Sequence, residues 1–167
     1  MGANLIYSYH FFCGSFLLIT FCALSFWVRG EEVSVRFGEI EIQERIGSDG
    51  YRFQFLRQVD RVPLFTFSEG GLYGLEYRSL DDRKYTSQVR AIVPKGADVG
   101  RGDIISIESD TERTIIQFKP LVMTGTVVEP FLFSKGDPPG EYILQISVGG
   151  KLHTTIAYEA YIYELLP

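Results

Sequence analysis

From residue 31 onward, hydrophobic and polar residues alternate with a period of two, which is the pattern of a β-strand. The first run starts at Val33, and its phase restarts after Gly38. A phase change at a glycine predicts a β-bulge. No long stretch beyond residue 31 carries an apolar stripe with the period of a helix. The chain from this point on is therefore predicted to be all-β.

Glycines, prolines and short polar turns divide this part of the chain into runs of strand length. Asp49-Gly50 separates residues 33–46 from residues 51–59, which predicts a hairpin. Pro63 predicts an edge strand or a strand start, because proline has no N–H to donate within a sheet. The further runs are 72–80, 84–94, 104–109, 113–118 and 121–133, the last broken at Gly125 and Pro130. About eight or nine short strands with turns between them predict an all-β, Ig-like antiparallel β-sandwich.

The last hairpin is predicted around Gly149-Gly150, and its register follows from its apolar residues. A two-residue turn by itself would place the apolar residues of the two strands on opposite faces. A turn that includes Lys151, or a bulge after the glycines, buries one consistent face, so we expect one of these. Pro138-Pro139-Gly140 is the corner that leads into the hairpin. The expected pairs are Val148/Leu152, Ile146/Thr154, Leu144/Ile156 and Tyr142/Tyr158.

Three short motifs follow one another along the chain. They are Phe37-Gly38, then Gly70-Gly71-Leu72-Tyr73-Gly74, and finally Pro139-Gly140-Glu141-Tyr142 before the terminal hairpin. In this order they resemble a bacterial family of small domains of unknown function with an Ig-like β-sandwich pattern. The resemblance spans most of residues 36–160. It implies the fold and a bacterial origin, and it implies no activity, cofactor or site residue.

Residues 11–28 form an apolar run without any charged residue. Such a run is typical of a secretory signal peptide, or of an uncleaved membrane anchor, which needs ~20 apolar residues. Residues 1–30 are therefore predicted to be a signal peptide or membrane anchor, formed as one hydrophobic helix, and residues 31–167 the β-sandwich domain. Either alternative predicts an exported protein, periplasmic or membrane-anchored, with its domain outside the cytoplasm.

Composition excludes several classes of function. The formal net charge is −5, so the domain has no electrostatic reason to bind nucleic acid. Both cysteines, Cys13 and Cys22, lie in the apolar run, so the domain has no disulfide, no thiolate nucleophile and no cysteine metal ligand. Its stability must come from packing.

Catalytic and metal-binding groups are sparse. His153 is the only histidine of the domain, and its place in a hairpin favours a solvent-facing residue over a catalytic base. Acidic residues cluster at Asp81-Asp82 and at Glu108, Asp110 and Glu112. A calcium site built from these carboxylates is one interpretation, and solvated turn charges are the favoured one. We predict no catalytic residue, no metal site and no cofactor.

Aromatic residues are the remaining candidates for a site. Tyr158, Tyr161 and Tyr163 lie near the C-terminus and are the candidate surface for a ligand or partner. Tyr51, Phe53 and Phe55 lie on one face of an early strand. Packing in the core or at a sheet edge is the competing interpretation for both groups.

The leading hypothesis is a binding or structural module of the bacterial envelope without enzymatic activity. Its predicted partner is an envelope protein or a glycan, with the membrane contacted through residues 11–28 if they stay uncleaved. Homo-oligomerisation through an edge strand is a further prediction. The alternative hypothesis is a carboxylate-based hydrolase that acts on an envelope substrate such as a glycan, and it predicts two close acids in a pocket.

Overall fold

The computed structural model describes residues 33–47, 50–64, 71–81, 83–97, 103–133 and 136–162. All of them belong to the unit Glu31–Pro167. The predicted leader, residues 1–30, and its predicted hydrophobic helix lie outside the described residues. Within the described ranges, no helix has the length and apolar character needed to cross a membrane.

The described residues form eleven β-strands, which is more than the eight or nine predicted. They are β1 (Val33–Ile46), β2 (Gly50–Gln58), β3 (Arg61–Leu64), β4 (Leu72–Ser79), β5 (Tyr85–Pro94), β6 (Ile104–Ser109), β7 (Arg113–Phe118), β8 (Leu121–Met123), β9 (Thr126–Phe131), β10 (Gly140–Val148) and β11 (Lys151–Ile162). The additional strands are short pieces. Residues 121–133, predicted as one broken run, form two strands, and Arg61–Leu64 forms a strand of its own.

The strands form two sheets, which confirms the predicted β-sandwich. One sheet has four strands in the order β2-β1-β4-β9, and all its neighbours are antiparallel. The other has the order β3-β11-β10-β5-β7-β6, with β8 also paired to β5. Its strands are antiparallel except for β3, which runs parallel to β11. Because β3 lies at the edge of this sheet, the edge position predicted from Pro63 is correct.

The core lies between the facing surfaces of the two sheets and follows the alternation read from the sequence. Leu75 and Tyr77 of β4, Val89 and Val93 of β5, and Leu144 of β10 are fully buried. Ala91, between Val89 and Val93, is buried as well, and the residues that alternate with these positions point to the opposite face of their sheet. Residues that alternate with the core positions, such as those of β4, therefore form the outer surface of the sandwich.

Gly125 marks the point where the chain passes from one sheet to the other. β8 pairs with β5 in the seven-stranded sheet, and β9 pairs with β4 in the four-stranded sheet. Gly125 has a φ of +67°, a conformation that residues with a side chain rarely adopt. Its carbonyl accepts a hydrogen bond of 2.9 Å from the Ser79 N–H, which holds the crossover against the end of β4.

The C-terminal hairpin has a two-residue turn followed by a bulge. Gly149 and Gly150 both have positive φ, as a type I′ turn requires, and Val148 pairs with Lys151. A register shift after Ile146 then restores the apolar pairing. The predicted pairs Tyr142/Tyr158, Leu144/Ile156 and Ile146/Thr154 are confirmed. The predicted pair Val148/Leu152 is wrong, because the bulge lies between it and the other pairs.

Candidate ligand-binding groove

Of the two candidate surface tyrosines that the structure describes, one is buried and the other is partly exposed. Tyr158 is only 3% exposed and stacks between Phe37 and Tyr142, with ring centroids 4.4 and 5.4 Å away. Tyr161 is partly exposed, and the Arg61 guanidinium lies 4.6 Å above its ring. Tyr163 lies outside the described residues. Tyr158 is therefore a core residue.

The aromatic residues of β2 line a groove on the outer surface of the four-stranded sheet. Tyr51, Phe53 and Phe55 form one part of its wall. Glu76 and Arg78 of β4 contribute from the opposite side, where they alternate with core residues. We call this feature, with a volume of about 540 Å³, the outer groove. Its lining is completed by Gln43, Ile46, Arg52, Gln54, Thr126, Val127 and Val128.

Glu76 places a buried carboxylate in the outer groove, since this residue is only 5% exposed. Arg36, its cross-strand partner on β1, donates hydrogen bonds to Oε2 from Nε, at 2.9 Å, and from Nη2. A buried carboxylate is tolerated only when a paired, hydrogen-bonded cation compensates its desolvation. Arg36 supplies that compensation, and its guanidinium also lies 4.4 Å above the Phe55 ring.

Arg78 is the second cation near the Glu76 carboxylate, and among the residues that the structure describes no group accepts a hydrogen bond from it. Its Nη2 lies 3.6 Å from Glu76 Oε1, which is an ion-pair distance but too long for a hydrogen bond. The side chain is about half exposed toward the groove. A guanidinium carries five N–H donors in a planar fork, so Arg78 can bind an anion that enters the groove.

Arg52 stands on the rim of the groove. Its Nη1 donates a 3.0 Å hydrogen bond to Glu44 Oε2, and both side chains are more than half exposed. An exposed pair of this kind contributes little to stability, since water and salt screen the two charges. Arg52 is therefore free to exchange Glu44 for a ligand at small cost.

Sequence reasoning identified the aromatic residues of this groove and missed its charges. Glu76 stands among the apolar residues of β4, and a charged residue within such a run is the signal that could have identified it. Its partner Arg36 is 40 positions away along the chain, and no local pattern links the two.

The hydrolase hypothesis requires two close acids in a pocket. Among the described residues, the pair that comes closest to this lies in a second, more open groove of about 420 Å³. Glu141 and Glu159 are direct cross-strand partners on β10 and β11, and both line it. Each is held by an arginine: Arg113 Nη2 lies 3.4 Å from Glu141 Oε2, and Arg61 Nε lies 2.9 Å from Glu159 Oε2. Both carboxylates are more than half exposed.

The acidic turn clusters bind their own backbone. Asp110 accepts hydrogen bonds from the N–H groups of Arg113 and Glu112, at 2.7 and 2.8 Å, and these lower the pKa of its carboxyl. Asp81 accepts a hydrogen bond from the Tyr85 hydroxyl, which is the main cause of its lowered pKa. Asp82 lies outside the described residues. Among the residues that the structure describes, no three His, Cys, Asp or Glu side chains are placed to share a metal ion.

Comparison with known proteins points to a β-sandwich family. The family model described as "PM0630 beta sandwich domain" matches residues 46–161, which covers every strand after β1. A solved structure, described as an immunoglobulin-like protein (PA1606) from Pseudomonas aeruginosa, is similar with a TM-score of 0.42 and 13% sequence identity. That similarity covers 78% of this chain and 98% of the other. A search of curated proteins finds no match.

Proposed function

The chain belongs to the PM0630 beta sandwich domain family, and we propose that it is an envelope domain that binds a ligand in the outer groove without chemical turnover. This proposal rests on the position and the contacts of Arg78. Arg78 lines an aromatic-walled groove, and within the described part of the chain no hydrogen bond occupies its guanidinium donors. Arg36 already holds the buried Glu76 carboxylate. A pocket with aromatic walls and a few convergent polar groups is the usual form of a ligand site.

The envelope location rests on the sequence. Residues 11–28 have the length and apolar character of a signal peptide or anchor, and the domain has no thiol that an oxidising compartment could modify. The intact mass of the mature chain distinguishes the two forms of export. Loss of the leader's mass indicates a cleaved signal peptide, and the full mass with membrane-bound protein indicates an anchor. Full-length protein that fractionates with the cytoplasm would contradict the proposed location.

Binding arrays test the proposed use of the groove. The full chain is applied to arrays of envelope glycans and of peptides, beside the variants Arg78→Glu and Arg61→Glu. Arg61 is the matched control, because it is similarly exposed and also pairs with a glutamate, but it lies in β3 of the other sheet. We expect some ligands to bind the wild type and the Arg61 control but not the Arg78 variant. If every ligand binds the Arg78 variant as well, the groove is not the binding site.

The competing function is a carboxylate hydrolase, and the pair Glu141/Glu159 is the observation that favours it. Cross-strand partners have Cβ atoms about 5 Å apart, so the two glutamate side chains can reach the carboxyl separation of retaining glycosidases, which is about 5 Å as well. Against it, each carboxylate is tied to an arginine and exposed on an open surface. Turnover of an array ligand that the variant Glu141→Gln abolishes would establish the hydrolase and overturn the binding module.

A further inference from the structure

We infer that the outer groove binds an oligosaccharide that carries a carboxylate. Arg78 binds the carboxylate, and the rings of Tyr51 and Phe53 stack against the sugar. This inference rests on the proposed function, since it names the class of ligand for the same groove.

The charge of the groove favours an anion. The charged residues that line the groove are Arg52, Arg78 and Glu76. Arg36 and Glu44, which pair with Glu76 and Arg52, bring one further charge of each sign. One positive charge is left over, in a chain whose net charge is −5. A planar carboxylate can take two parallel hydrogen bonds from one guanidinium, which is the strongest pairing these groups make.

Of the three aromatic rings in the groove, Tyr51 is exposed and Phe53 is partly exposed. Tyr51 is 49% exposed, and its ring centroid lies 6.4 Å from that of Phe53 at an angle of 48°. The face of Phe55 is already covered by the Arg36 guanidinium. Exposed aromatic faces offer an apolar surface to the C–H groups of a sugar ring, while the hydroxyls at the ring's edge stay free for polar partners.

The remaining polar lining suits hydroxyl groups. Gln43, Gln54 and Thr126 are among the residues that line the groove, and side chains of these types both donate and accept hydrogen bonds. A purely apolar ligand would take these groups out of water without giving them partners, which costs free energy. Sugar hydroxyls, which also donate and accept, satisfy all three.

The spacing of the groove's walls argues against a peptide strand inserted between them. Both β2 and β9 have a free edge among the described strands, so a peptide could in principle bridge them. However, Cα atoms of β2 and β9 come within 8 Å of each other. An inserted strand needs about 4.8 Å on each side, or about 9.6 Å in all. An oligosaccharide, which makes no backbone ladder, has no such requirement.

Calorimetry on the full chain with three probes tests the inference. The probes are a galacturonic acid tetrasaccharide, its methyl ester, which keeps the rings and removes the charge, and a galactose tetrasaccharide. We expect the acid to bind, and the ester and the neutral sugar to bind at least about tenfold more weakly. Arg78→Gln and Tyr51→Leu should each weaken binding of the acid about tenfold, and Arg61→Gln should leave it unchanged.

The outcomes separate this inference from the function on which it rests. Equal binding of the acid and its ester overturns the role of the carboxylate. If none of the sugars binds, and an acidic peptide from the arrays binds in a manner that needs Arg78, the groove is a peptide site and the sugar class is wrong. If the Arg78 variant still binds both the sugar and the peptide, the inference and the proposed function are both overturned. Unfolding curves of Arg78→Gln are recorded alongside, because unchanged stability assigns any loss of binding to the missing guanidinium.

Discussion

Gly38 and Gly74 lie directly opposite each other across β1 and β4, and each has a backbone carbonyl from the next strand where a Cβ would stand. For Gly38 the carbonyl is that of Arg57 on β2, and for Gly74 it is that of Glu129 on β9. At this line, a side chain on either glycine would overlap the backbone of the adjacent outer strand of the sheet. The register shift predicted at Gly38 occurs between Glu39 and Ile40, one residue later, so the glycine is required by the close approach itself.

Gly38→Ala and Gly74→Ala are each expected to lower the free energy of unfolding by about 3 kcal/mol, because the new methyl group overlaps backbone that cannot turn aside. Urea unfolding curves measure the effect. Gly71→Ala is the matched control, since its Cβ would meet side-chain atoms and no backbone, with the Tyr73 hydroxyl at 3.3 Å and Glu39 Oε1 at 3.5 Å, and it should stay within about 1 kcal/mol of the wild type. Wild-type stability in both test variants would contradict the close approach.

Two stacked core tyrosines, Tyr142 and Tyr158, should respond oppositely to loss of their hydroxyl groups. The Tyr142 hydroxyl donates a 2.7 Å hydrogen bond to the Pro138 carbonyl, so Tyr142→Phe should lower the free energy of unfolding by about 1 kcal/mol. The buried Tyr158 hydroxyl has no hydrogen-bond partner among the described residues, so Tyr158→Phe should leave stability unchanged or raise it by about 1 kcal/mol. Thermal and urea unfolding at neutral pH measure both. A comparable loss in the two variants would contradict this assignment.

Tyr158 should also affect the stability of the protein at alkaline pH. Burial is the main cause that raises the pKa of Tyr158 well above its ordinary value of 10.0. The unfolded chain therefore loses this proton first, so the contribution of Tyr158 is intact below the unfolded pKa and declines as pH rises above about 10. Tyr158→Phe removes one titrating group and should lose less stability than the wild type between about pH 9 and about pH 11. Parallel pH profiles for the two proteins would contradict this.

Local patterns predicted the strands and the last hairpin, because period-two alternation and turn glycines are encoded within a few residues. The pairs Leu144/Ile156 and Tyr142/Tyr158 follow from them directly. The same alternation places Tyr158 on the buried face, and it outweighs any general tendency of aromatic residues to form binding surfaces. The charges of the outer groove could not be predicted. The pairing of Arg36 with Glu76 depends on which strands become neighbours, and the sequence pattern carries no information on that.

Removing one partner of the Arg36–Glu76 pair should lower the free energy of unfolding more than replacing both partners with apolar residues. Arg36→Met leaves the buried Glu76 carboxylate with only the more distant Arg78, and we expect a loss of about 3 kcal/mol in the free energy of unfolding. The double variant Arg36→Met with Glu76→Leu removes both charges and should recover most of that loss. Urea unfolding of both variants and of Glu76→Leu completes the cycle. A double variant as unstable as Arg36→Met would show that packing, and not the unpaired charge, causes the loss.

Among the described strands β6 has no neighbour on its outer side, and this edge predicts association of two copies of the chain. β6 is the last strand of the seven-stranded sheet, and its Ile104, Ile105 and Ile107 are all exposed. Edge strands are usually protected by lysine, proline or a covering segment, and β6 contains neither residue. A strand edge can pair with its own copy about a twofold axis, with the two strands antiparallel.

Light scattering on the full chain over a range of concentrations should therefore detect a dimer. Ile107, which is 59% exposed, lies on the regular part of β6 beyond its bulge, so Ile107→Lys should bring two like charges together and give a monomer. Leu152→Lys is the matched control, because Leu152 is 63% exposed and lies on β11, away from the β6 edge. We expect this control to remain dimeric. A wild type that stays monomeric at every concentration, or a control that dissociates equally, would show that β6 is not the contact.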